Sequence, residues 1–135
     1  MKFEELETKL QSAIEKAEEI AIENIQVGID FSPFIIFDEK EIKKFKSDSL
    51  DDAIDMALEE IESLEEETVL LIYKDVIKLN DGSFDGIISQ IYNVDEDSGY
   101  SFGLLYKLED NKISFLNKRV FLGDVRNCLI FLFNI

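Results

Sequence analysis

Between Thr68 and Gly123 the chain reads TVLLIYKDVIKL, FDGIISQIYNV, YSFGLLYKL, ISFL and RVFLG, a succession of β-prone segments parted by turn signals. Tyr100, Phe102, Leu104, Tyr106 and Leu108 alternate with Ser101, Gly103, Leu105 and Lys107, the period of two that gives a strand one apolar face. Val69–Tyr73 is apolar at every position, as a central strand is. Val76–Leu79 is expected to continue it after a kink near Asp75, and Ile87–Tyr92, Ile113–Leu116 and Val120–Leu122 supply further strands. Asn80–Ser83, Asp95–Gly99 and Glu109–Lys112 are hairpin-length turns rich in Asp, Asn and Gly, so the strands should form an antiparallel meander.

Two helices precede this region. Phe3, Leu6, Leu10, Ala13/Ile14, Ala17, Ile20/Ala21 and Ile25 recur every three to four residues across 3–26, and Gly28 suits the left-handed stop that follows. Leu50, Ala53, Ile54, Ala57, Leu58, Ile61 and Leu64 form a second stripe, opened by Ser49 as N-cap with Asp52 three residues on. Between them, Pro33 starts a short apolar strand, Phe34–Phe37. Asp38–Glu41 turns the chain into a polar return, Ile42–Lys46, carrying the lysine cluster 40, 43, 44 and 46. Those lysines read as a guarded sheet edge, with a partner contact or a clamp on the acidic helices as the other readings. The expected fold is a single α+β domain over 1–135. In it, two amphipathic helices with a short β-ribbon between them cover one face of a meander of four to five strands. Residues 1–67 form an acidic helical half, and 68–135 the sheet and an apolar C-terminal segment.

Charge separates the two halves. The 135 residues hold 30 Asp and Glu against 14 Lys and Arg, for a net −16. Twenty-one of those acids, and half of the bases, lie in residues 1–67. Such a field repels nucleic acid and anionic membranes and attracts basic proteins. Asp51, Asp52 and Asp55 suit the positive end of the second helix, but Glu59, Glu60, Glu62 and Glu65–Glu67 crowd its negative end, against the dipole.

Histidine is absent, which removes the commonest general base and the usual zinc and haem ligands. The lone Cys128, beside Leu129 and Ile130, reads as an inert buried thiol and fits a reducing compartment. No glycine-rich phosphate loop occurs, and Asp95–Gly99 misses the EF-hand spacing, so no metal and no cofactor is expected. MKFEELETKL lacks the continuous apolar core of a signal peptide, and no apolar run reaches the ~20 residues that span a bilayer. A cytoplasmic, soluble protein without membrane or nucleic-acid partners is the expectation.

The segments SPFIIFDEKEIKKFKSDSLDDA, YKDVIKLNDGSFDGIISQ and GYSFGLLYK resemble small uncharacterised bacterial α+β proteins, across about Ser32–Lys107. Asp75 stands where such sequences often carry glycine. The resemblance implies a bacterial origin and a shared fold, and no activity or site.

Three function classes follow. The leading one is a non-enzymatic interaction module of immunity or inhibitor type, binding a basic protein through an acidic helical face of Glu15, Glu18, Glu19, Asp55, Glu59 and Glu62. The second is a small-molecule pocket or carboxylate-based enzyme between sheet and helices. The third is a structural homodimer. Leu129, Phe131, Phe133 and Ile135 share one strand face of the tail, and burial against the chain's own sheet competes there with pairing to a second copy or another chain.

Overall fold

A computed structural model describes residues 1–28, 31–38, 40–110 and 112–130. A 3-10 turn, Phe3–Glu5, precedes α1 (Thr8–Gln26). β1 (Phe34–Phe37), β2 (Glu41–Lys44) and α2 (Leu50–Glu62) follow. The remainder is β3 (Thr68–Leu79), β4 (Gly82–Asn93), β5 (Ser98–Glu109) and β6 (Lys112–Arg126). All six strands belong to one antiparallel sheet in the order β2-β1-β3-β4-β5-β6.

The α+β class and the antiparallel meander hold, but the arrangement departs from expectation in three ways. First, the ribbon is part of the sheet, not a separate cover. Phe34, Ile35, Ile36 and Phe37 pair with Ile72, Leu71, Leu70 and Val69, which makes six strands where four to five were expected. FIIF is apolar on both sides, and only a place inside a sheet buries both. Second, the helices lie on opposite faces, so the sheet is the middle layer of three. Leu10, Ile14, Ala17 and Ala21 of α1 pack on Leu70, Ile72, Ile87, Ile91 and Phe102. Ala53, Ala57 and Ile61 of α2 pack on the alternate residues Val69, Leu71, Tyr73, Ile88 and Tyr92. Strands apolar on both sides need a cover on each, at about 1.5–3 kcal/mol for every large aliphatic side chain removed from water. Third, β3 is continuous through Asp75, and β6 is one strand of 15 residues. Register shifts between Ser101 and Phe102, and between Leu104 and Tyr106, absorb the irregular pairing of β5 with β6.

Local signals set the helix ends as expected. Ser49 Oγ accepts the Asp52 N–H at 3.1 Å, the N-cap of α2. Gly28, at φ 77°, follows the end of α1. Ile77, in the cluster on the α2 side, is buried lying across Gly86 and Gly103. A Cβ built at either glycine would stand 2.2 or 2.4 Å from Ile77 Cδ1.

Candidate functional site

The six acids expected to form one surface are divided by the sheet: Glu15, Glu18 and Glu19 are on α1, and Asp55, Glu59 and Glu62 on α2. Glu18 does not face outward. It is 3 % exposed, and its carboxylate accepts two bonds from Arg119 of β6, from Nε at 3.0 Å and from Nη2 at 2.6 Å. The guanidinium also lies 4.0 Å from the centroid of the Phe3 ring. Burial pushes the Glu18 carboxyl above the ordinary carboxylate range, and the Arg119 bonds oppose that rise. The same bonds hold Arg119 firmly protonated. This pair joins α1 to the sheet.

Glu62 is half-buried and accepts from Arg126 Nη2, which ties α2 to the end of β6. Lys43 of β2 reaches Glu60 at 3.0 Å on the same helix, so one of the clustered lysines does clamp an acidic helix. The two arginines of the chain thus each meet a glutamate of a different helix.

What stays outward is a row of carboxylates on each helix. Glu15, Glu19 and Glu23 are exposed along α1, and Asp51, Asp55 and Glu59 along α2, each row at spacing four. Like charges at that spacing cost a helix about 0.2–0.5 kcal/mol per pair. On α1, Arg119 lies close enough to Glu15 for that carboxylate to raise its pKa, so the first member of the row has a cation nearby. On α2, Asp51, Asp55 and Glu59 make no ion pair among the described residues. Met56, 44 % exposed, lies beside this row.

A groove of about 680 Å³ runs between α1 and the β1–β2 hairpin, beside the exposed outermost strand β2. Leu10, Ala13, Ile20, Ile36, Ile42 and Leu70 make its apolar walls. Lys9, Lys16, Lys40, Asp38, Glu66 and Glu67 line its rim. Lys9 is engaged by Glu67 at 3.0 Å.

Two other sequence features resolve into structure. Burial pushes the Cys128 thiol up to about 11, beside the buried Tyr92, so it is protonated at neutral pH. Of the Asp95–Gly99 segment, Asp95–Asp97 lies in the β4–β5 turn and Ser98 and Gly99 open β5; the turn is braced by Asn127 Nδ2, which donates to the carbonyls of Asn93 and Glu96 at 2.8 and 2.9 Å. Among the described residues no group of three acids or cysteines could hold a metal ion, and no helix is long and apolar enough to cross a membrane. Leu129 is 4 % exposed against the α2 side of the sheet, the burial within its own fold that competed with pairing. Phe131, Phe133 and Ile135 lie outside the described residues.

The Glu18–Arg119 pair could not be found from the helix stripe, because Glu18 sits at its border and its partner is 101 residues away. No protein-family model matches the chain, and no curated protein or solved structure is significantly similar to it.

Proposed function

We propose that the protein is a non-enzymatic binding protein of immunity or inhibitor type, acting in a reducing cytoplasm, and that the outer face of α2 receives a basic protein. The observation that carries this reading is the row Asp51, Asp55 and Glu59, which makes no ion pair among the described residues and is bordered by exposed Met56. Asp51 suits the positive end of the dipole, but a solvated helix face gains nothing from continuing the row in register to Glu59, near the negative end. A partner presenting arginines or lysines around an apolar contact would offset that repulsion on binding, and the field would speed its approach. The α1 row suits this role less well, because Arg119 lies near Glu15. Glu18 and Glu62 belong to the scaffold, and the proposed site contracts to Asp51, Asp55, Met56 and Glu59.

Affinity capture from the source cell, followed by binding measurements with the recovered protein, tests this. Asp55→Lys with Glu59→Lys should weaken binding by at least about tenfold and flatten its dependence on salt. Glu15→Lys with Glu19→Lys should leave it within about twofold. Equal losses from the two pairs, or none from the α2 pair, would remove the assignment.

A further inference from the structure

β2 ends the sheet, and the phase of its hydrogen bonds shows which groups face outward. Phe45 N–H donates to the Pro33 carbonyl at 2.8 Å, one step beyond the Phe34↔Lys44 pair. In an antiparallel ladder bonded pairs alternate, so residues 45, 43 and 41 bond inward to β1. The N–H and C=O of Ile42 and Lys44 therefore point away from the sheet, and among the described residues no strand lies beyond them. Ile42 is 44 % exposed, pairs with Ile36, and borders the apolar groove beside α1. Lys44 lies two residues along on that same side of the ribbon, and Lys43 on the other.

We propose that this edge receives an extended peptide segment as a seventh strand, with a carboxylate opposite Lys44 and an apolar side chain two residues away entering the groove beside Ile42. Backbone bonds to Ile42 and Lys44 would supply affinity, and the groove and the lysine would supply selectivity, the usual division in strand addition. A second copy of the chain fits poorly. Antiparallel pairing of two β2 edges sets Lys43 against its counterpart, Lys44 against its counterpart, or Lys44 against Lys40, and like charges directly opposite are destabilising; the last register also sets Glu41 against Lys43, but Glu60 already holds that lysine. An acidic segment meets the opposite situation. The helix carboxylates, which repel it at long range, are screened over ~8 Å at physiological salt, and because Asp38, Glu66 and Glu67 line the groove it is the apolar side chain that enters there, with the carboxylate held apart at Lys44. This surface is separate from the outer face of α2, and the two readings stand or fall independently.

The probe is a blocked, fluorescein-labelled octapeptide in which glutamate and leucine alternate at every second position between threonines, titrated by fluorescence anisotropy. Binding should be saturable, and at least about tenfold weaker when the glutamates are replaced by lysine. N-methylation of alternate amides should abolish it, because those methyl groups block the edge. Ile42→Pro should weaken binding about tenfold or more while leaving the circular dichroism spectrum and Tm close to wild type, since the N–H it removes is not bonded to β1. Equal affinity for the lysine peptide, indifference to N-methylation, or a protein that dimerises through this edge in light scattering would overturn the proposal.

Discussion

At the scale of single residues, the strongest statement concerns Glu18. Removing Arg119 would leave a carboxylate buried without a cation, whereas neutralising Glu18 leaves a guanidinium that is 23 % exposed and within reach of water. Arg119→Ala should therefore be the costlier change, destabilising the fold by about 3–5 kcal/mol, or roughly 10 °C or more in Tm. The pH dependence has a definite sign. Burial raises the folded-state pKa of Glu18 above its ordinary value of 4.5, and losing Arg119 raises it further. A raised acid stabilises the fold below the unfolded pKa, and that contribution is lost as pH climbs through the folded value. The deficit of Arg119→Ala should thus be smaller at pH 5 than at pH 7.5 in urea titrations. In a Glu18→Gln/Arg119→Ala background it should not change between those pH values. None of this was legible in the sequence, where Glu18 was one of seven glutamates between residues 4 and 23. A stripe reports periodicity, and Glu18 lies at its margin.

At the scale of elements, the strands were legible and their covering was not. The alternation in 100–108 and the turns at 80–83 and 95–99 located β4 and β5. An amphipathic helix announces that one side is buried, but not against which face of a sheet. The clue was in the strands: Val69–Tyr73 and Phe34–Phe37 are apolar on both sides, and one layer of helices cannot cover two faces. In place of the expected kink, β3 pairs with β4 continuously through Asp75, and Ile77 ties it to β4 and β5 by resting over Gly86 and Gly103. Gly86→Ala should cost about 1–3 kcal/mol, because the added methyl meets Ile77 Cγ1 at 2.9 Å as well as Cδ1. Ile77→Ala is destabilising alone, but the double variant should be less destabilised than the sum of the two singles. Strict additivity in thermal unfolding would show that the glycine serves something other than this contact.

For the whole molecule, the charge asymmetry and the fold combine to give a sheet flanked by two acidic helices, each fastened to β6 by an arginine. Composition made the acidity plain, and it led to a single acidic face. The folded chain has two, and only spatial arrangement distinguishes them. On the α1 side the first carboxylate of the row lies near Arg119, and on the α2 side an exposed methionine sits among carboxylates that find no cation among the described residues. The proposed docking of a basic protein on α2 is therefore a claim about one side of the molecule. Its most direct test is photocrosslinking in the source cell, with p-benzoylphenylalanine in place of Met56 and, separately, in place of Glu19. An adduct with a basic protein is expected from position 56, lost at high salt, and none from position 19. An adduct of equal yield from both positions, or none from position 56, would contradict it.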